Sequence, residues 1–560
     1  MSAAAAAVVV SAAVAAAHRV PAGPAPAAAP GGELPGPPRP PSRLGTFLAR
    51  AAAVTAGLTV AGALLGLVRD QAIARIYGAG TESDAFLIAW TVPEMAATLL
   101  IEDAMALLLV PAFSHALAHR AARHRTAGDP VRDLVSATLP RLVAALAFVT
   151  GLLALCAPQF VAVLAPGLAD PALAVDCTRL TALTVLTFGV AGYFSAALRA
   201  HGHFLPPAAV YLAYNTGIVA TTLLLHSLWG VRAAAAGVAV GGLLMVLVQL
   251  PVFLRRVGRP RPAAAPRREA RIATPLVGLS VLAPIAVFAL SRQSQVLVER
   301  FLASSLPGGA ISHLNYAQKV AQMPMVLSLM FCTVTLPVVA RAIAGGDRET
   351  ARRRVEHDLV LAGLVVLLGT ALILGCAPQI IEVLFQRGAF DAGDTATTAA
   401  VMRVYAVGLL GHTLVGALGR PFFSSGRPTW YPAAAMAAGL AVTIAAGAAA
   451  VTPWGVYGIA AGNAAGICVT ALLLLSGLGS RIVRIEVRAV SRALGRLAAA
   501  AGAAAGAGAL TGALLPGPLP ALAAGVLLVP AVFAATGLAL GSPEIVRTLA
   551  LARRRFRPVR

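Results

Sequence analysis

Arg69, Asp70, Arg75, Glu82 and Asp84 fall within GLVRDQAIARIYGAGTESDAFLIAWTVPE (66–94), and apolar sequence flanks this stretch on both sides. Charged side chains in or beside a bilayer-length apolar run are costly, and they tend to face a bundle interior or a cavity. The second half of the chain supplies further cations. Arg292 lies in ALSRQSQVLVERF, with Glu299 and Arg300 two turns later, and Lys319 lies inside LNYAQKVAQMP. A guanidinium grips phosphate with two parallel hydrogen bonds, whereas an ammonium acts as a mobile point charge. Brought together, Arg69, Arg75, Arg292, Arg300 and Lys319 would hold a diphosphate. The plainer alternative is an interfacial turn whose arginines snorkel toward water. Acids stand beside them. Glu102 and Asp103 are adjacent in TLLIEDAMALLLVP, where each needs a cation, a proton or Na⁺. Asp70, Asp84, Glu102 and Asp103 are therefore the candidates for pairing with the cavity cations or for coupling to an ion.

The elements that position these residues are membrane helices. Of 560 residues, 58% are hydrophobic and 12% charged, about half the charged fraction of a soluble protein. Apolar runs of about 20 residues recur almost end to end, which gives an all-α polytopic chain of about fourteen spans. Alternate loops carry arginine, from Arg120, Arg123 and Arg125 through RRVGRPRPAAAPRREAR (255–271) to the tail LARRRFRPVR, while 157–175, 451–453 and 514–517 have no Lys or Arg. Basic loops stay in the cytoplasm, so both termini are expected there. The same pattern accounts for the net charge of +22 without nucleic acid. Five cysteines (Cys156, Cys177, Cys332, Cys376, Cys468) show no metal or disulfide spacing.

A repeat divides the chain. Cys-Ala-Pro-Gln occurs at 156–159 and again at 376–379, each copy closing an apolar run. An offset that contains six spans gives two halves of like orientation, an arrangement that places a cargo site between them. The boundaries are an Ala/Pro-rich cytoplasmic tail (1–42, expected to be disordered), an N-lobe (43–256), a basic linker (257–273) and a C-lobe (274–480). Two further spans (481–541) and a basic tail (542–560) follow. In LFQRGAFDAGDT (384–395) Asp394 reads as a helix N-cap. Pro93, Pro111, Pro324 and Pro337 fall inside spans, where they can kink a helix. The chain has no Walker A lysine motif, nucleophile elbow or metal-spaced histidine cluster. The reading is therefore of a non-enzyme with no cofactor, driven by an H⁺ or Na⁺ gradient, by the membrane potential or by its cargo's own gradient.

In GLVRDQAIARIYGAGTESDAF, the Pro93–Pro111 span with Glu102, LPGGAISHLNYAQKVAQMP and LFQRGAFDAGDTA, the chain resembles the MurJ/MviN family of lipid II flippases. That family lies within the multidrug/oligosaccharidyl-lipid/polysaccharide exporter superfamily. The resemblance covers roughly 44–540. It implies fourteen helices in two six-helix lobes, with two C-terminal helices beside a groove for the lipid tail. It implies a bacterial cytoplasmic-membrane transporter of undecaprenyl-diphosphate-linked peptidoglycan precursor, with membrane lipids and the cell-wall synthesis machinery as partners. The family's cavity arginines match Arg69 and Arg75, and its acids match Asp70, Asp84 and Glu102. The departures are Met95-Ala96-Ala97-Thr98 where the family carries one or two arginines, Gln318-Lys319 in place of Asp-Arg, and Asp103 in place of a small residue. They lower the positive field. A flippase for another polyprenyl-linked glycan, a cation-coupled multidrug-type exporter and a non-transporting envelope scaffold are the alternatives.

Overall fold

The computed structural model describes residues 43–122, 129–257, 279–329, 347–424, 429–481 and 485–546. The N-terminal tail, nearly all of the basic linker and most of the basic C-terminal tail lie outside the described residues. Within them the chain is all-α.

Helix α1 (Arg43–Tyr77) runs on through the charged pair Arg69 and Asp70. Arg69 and Asp70 do not stop it, because they neutralise each other by a 2.7 Å ion pair. The stop comes at Gly78, whose φ of 63° suits only glycine. Helix α2 (Thr81–Ala96) passes through a π-helical turn, Ala97–Asp103, into α3 (Ala104–Ala122). Helix α4 (Pro130–Leu155) starts on an Asp129 cap, with Pro130 in its first turn.

Both copies of the repeated tetrapeptide sit at a helix break. Cys156 (φ −86°, ψ 11°) ends α4, and α5 (Ala157–Leu164) restarts on Pro158. Cys376 (φ −114°, ψ 19°) kinks α11 (Arg348–Phe385) ahead of Pro378. A second echo is a Trp-Gly-Val turn. Gly230 (φ 56°, ψ −141°) joins α7 (Leu205–Trp229) to α8 (Arg232–Val257). Gly455 (φ 54°, ψ −131°) joins α13 (Tyr431–Trp454) to α14 (Val456–Arg481).

In the first half, the mostly buried α6 (Pro171–Ala200) packs on α2, α3, α4 and α8, while α7 bridges α8 and α1. In the second half, α14 packs on α13 and on α12 (Ala392–Ser424). Helix α9 (Leu279–Ala303) lies on α13, and α10 (Ala310–Ala321) lies on α12. Helices α15 (Val487–Leu514) and α16 (Pro518–Ala539) pair with each other and dock on α11. Among the described residues, eleven helices are long and apolar enough to cross a bilayer. Leu224, Leu228, Leu514 and Leu527 are each 76% exposed, an outer surface that suits hydrocarbon. The chain is a polytopic membrane protein.

Helix contacts without a hydrophobic drive depend on small residues that let backbones approach. A Cβ on Gly375 would lie 2.7 Å from the Ala505 carbonyl oxygen and 2.9 Å from Gly508 Cα. Gly375→Leu is therefore expected to push α15 off α11 and destabilise the fold by about 1–3 kcal/mol. Thermal unfolding followed by tryptophan fluorescence would register the loss. Gly502→Leu, at a position with nothing within 4 Å, is expected to be neutral.

Candidate functional site

Arg69 is buried on α1. Its Nη2 and Nε donate to Asp70 Oδ1 at 2.7 and 3.0 Å, and its Nη1 donates to Asn215 Oδ1 at 2.9 Å. Asn215, on α7, is itself fixed by a 3.0 Å bond from Nδ2 to the Gly62 carbonyl. From the other half of the chain, Lys319 on α10 donates from Nζ to the same Asp70 Oδ1 at 3.2 Å. Trp90 on α2 lies against both cations, with its ring centroid 4.6 Å from Arg69 Cζ and 5.6 Å from Lys319 Nζ. Two cations from different halves thus share one carboxylate oxygen, and the triad keeps a net positive charge. The side chains of Lys319 and Glu94 retain 29% and 35% exposure, so the cluster borders open space rather than a sealed core.

The remaining candidates separate from this centre. Arg300 is buried beside it but engages α2: Nη2 reaches Glu94 Oε2 at 2.8 Å, and Nη1 donates to the Thr91 hydroxyl. Its neighbour Glu299 faces the second half, where it accepts from Tyr405 at 2.9 Å and from Asn463. Arg75 and Arg292 are both exposed and take no part in the triad. Six residues separate Arg69 from Arg75, which turns the second side chain about 120° round α1. The side chains of Glu102 and Asp103 lie outside the described residues; their backbone closes the π-helical turn.

Asp84 has a different task from cation pairing. Its Oδ2 accepts from Gly309 N at 2.7 Å, and its Oδ1 accepts from Ser312 N and Oγ at 2.8 and 2.6 Å. It therefore caps α10 across the two halves. The same seam includes Ala389 N to the Arg75 carbonyl at 2.8 Å and Gln71 Nε2 to the Leu384 carbonyl at 2.9 Å. Gly388 and Gly309 meet the opposing backbone so closely that a Cβ would lie 2.3 Å from the Arg75 carbonyl oxygen and 2.4 Å from that of Ala79. These contacts close the two halves of the chain against each other at this end. At the same seam the expected cap of α12 moves. Asp391, not Asp394, holds that place, because Asp391 Oδ1 accepts from Asp394 N at 2.8 Å. The Asp394 carboxylate reaches instead to Ala79 N at 3.3 Å.

Sequence reasoning missed four residues of the site. Trp90, Thr91 and Glu94 lie one turn apart on α2, the spacing of a single helix face. Glu94 is an acid in an apolar stretch, and Asn215 is a lone amide in an apolar helix; each carries the signal of a buried polar residue needing a partner. Among the described residues, no group of three or more His, Cys, Asp or Glu is placed to hold a metal.

The chain is 27% identical over 442 residues to the lipid II flippase MurJ of Burkholderia cenocepacia, covering 78% of this chain and 84% of that protein. It is likewise 27% identical over 446 residues to a probable lipid II flippase MurJ of Bdellovibrio bacteriovorus, covering 76% and 81%. Among solved structures, its fold matches that of a lipid II flippase MurJ in an inward closed conformation. The TM-score there is 0.69 at 17% identity, over 87% of this chain and 98% of the other. An inward-facing multidrug transporter of the MATE family matches less closely, with a TM-score of 0.61 at 16% identity over 77% and 96%. A family model described as lipid II flippase MurJ matches residues 73–521, most of the sequence, and the chain belongs to that family.

Proposed function

We propose that this protein carries a polyprenyl-diphosphate-linked glycan, lipid II foremost, outward across a bacterial cytoplasmic membrane by alternating access. The observation that carries the reading is the shared grip of Arg69 and Lys319, one from each half, on a single carboxylate oxygen beside open space. Two convergent cations can take two phosphate oxygens when Asp70 yields. The names of the relatives point the same way. Helices α2–α3, α9 and the stretch beginning at α10 also cross the bilayer in this reading. That brings the spans to fourteen, in two like-facing six-helix lobes with both termini inside. Helices α15 and α16 flank the lipid tail, and the closed outer seam belongs to an inward state. Transport draws on H⁺, Na⁺ or the membrane potential.

A flippase for a different polyprenyl-linked glycan is the second reading. It is favoured by a lysine at 319 and by the uncharged Met95-Ala96-Ala97-Thr98, which leave fewer guanidinium groups for the head group. Both readings are tested by reconstitution into liposomes with fluorescent polyprenyl-diphosphate glycans of different head groups. Lipid II is expected to cross fastest. Faster movement of another glycan selects the second reading. Efflux of cationic drugs with no glycan movement rejects both.

A further inference from the structure

Glu94 takes no part in the Arg69–Asp70–Lys319 triad, yet it makes an ion pair that joins the halves. It stands ten residues beyond Asp84 along α2, about 15 Å at the rise of a helix. The bond to Arg300 therefore lies well inside the outer seam, next to the Arg69–Asp70–Lys319 triad. The two partners differ in their access to the open space. The Arg300 side chain is 4% exposed, while that of Glu94 keeps 35%. The carboxylate is thus the partner that water can receive once an anion displaces it from Arg300. Glu299 cannot replace it, because its oxygens are committed to Tyr405 and Asn463.

We propose that the Glu94–Arg300 bridge is an anion-released latch. Glu94 holds α2 to α9 while the site is empty. A diphosphate arriving at Arg69 and Lys319 takes Arg300 from Glu94, and loss of the bridge frees the outer seam to open. The exchange keeps Arg300 paired throughout, so no guanidinium is left buried without an anion, and the freed carboxylate is already at the edge of the space. A diphosphate competes well because a guanidinium binds phosphate oxygens in a bidentate fork. The inference rests on the head-group reading above.

The test uses the full chain in lipid nanodiscs, with inorganic pyrophosphate as the probe. Binding is measured by calorimetry, and seam opening by amide hydrogen exchange of the turn at 304–312, whose Gly309 and Ser312 amides donate to Asp84. In the wild type, saturating pyrophosphate is expected to raise exchange there at least tenfold. Glu94→Gln is expected to show that higher exchange without any anion, and the exchanged pair Glu94→Arg with Arg300→Glu to return to the low rate. If Glu94→Gln does not fold, Glu94→Asp, which keeps the charge but shortens its reach, is expected to exchange faster than wild type. Seam exchange in the Glu94 variants equal to wild type overturns the latch. So does pyrophosphate that binds the wild type without raising exchange, a result that leaves the head-group reading standing. Absence of pyrophosphate binding in every variant overturns the head-group reading and the release step with it.

Discussion

Arg69→Ala is expected to leave a flippase-depleted strain unable to grow, although the protein still reaches the membrane folded. The substitution removes three donor contacts at once, two to Asp70 and one to Asn215. Lys319 still pairs with Asp70 at 3.2 Å, so the buried carboxylate is not stranded and the fold is spared the largest penalty. What is lost is the planar fork proposed to grip the head-group phosphate. Charge-assisted hydrogen bonds contribute about 1.5–3 kcal/mol each, so losing the pair weakens head-group binding by about two orders of magnitude or more. Arg69→Lys keeps the charge without the fork and is expected to restore growth only in part. Lys319→Arg adds a second fork and is expected to be tolerated. Binding of inorganic pyrophosphate, measured beside growth, separates the site from expression. Wild-type growth with Arg69→Ala would remove Arg69 from the head-group site.

The membrane class and a matched helix break were both legible in the residues, because each rests on local signals. Apolar run length reports a span, and the repeated Cys-Ala-Pro-Gln marks a helix break in both halves. The paired Trp-Gly-Val turns were equally readable, with nearly the same φ and ψ at Gly230 and Gly455. The site was half legible. Arg69, Asp70 and Lys319 announced themselves as charges in apolar surroundings, and they meet. Arg75 announced itself in the same way and does not join them, because residue type says nothing about which side of α1 it occupies. The six-residue spacing from Arg69 does say so, and it points Arg75 elsewhere. Which cation pairs with which acid could not be read from sequence. Arg300 goes to Glu94 rather than to Asp70, a choice made by the packing of α9 on α2. Sequence proximity also misled at α12, where Asp394 contacts Ala79 across the seam and leaves the cap to Asp391.

These contacts separate two kinds of joint between the halves. The inner joint is ionic and borders the open space: Arg69, Asp70, Lys319, Glu94 and Arg300. The outer joint has mostly backbone amides as donors, with glycines at 309 and 388 pressed against opposing carbonyl groups. A joint of this outer kind has little tolerance for partial opening, because its donors are either paired across the seam or left without acceptors until water enters. The inner joint can exchange one anion for another without unpaired charge. In the proposed transport cycle an anion acts on the first, and rigid-body movement of the two halves on the second.

Asp84 is where the outer joint depends most on one side chain, and Asp84→Ala is expected to abolish growth by a route unlike that of Arg69→Ala. Three donors, the amides of Gly309 and Ser312 and the Ser312 hydroxyl, lose their acceptor together. A buried donor left unpaired costs about 1–3 kcal/mol, so the closed seam loses population by a factor of about 100 or more. Helix α10 also loses the anion at its N-terminus, where the peptide dipoles favour negative charge. Lys319 lies near the far end of that helix, so loosening its start shifts one of the two cations proposed to hold the head group. Amide exchange at 304–312 is expected to rise sharply in Asp84→Ala, while pyrophosphate binding falls by a smaller factor than in Arg69→Ala. Asp84→Asn keeps one acceptor oxygen and is expected to fall between wild type and alanine. Ser312→Ala removes only the hydroxyl contact and is expected to grow. If exchange in Asp84→Ala stays at the wild-type rate, the carboxylate does not hold the seam shut, and closure must come from the glycine contacts and the remaining seam bonds of Ala389, Gln71 and Ala79.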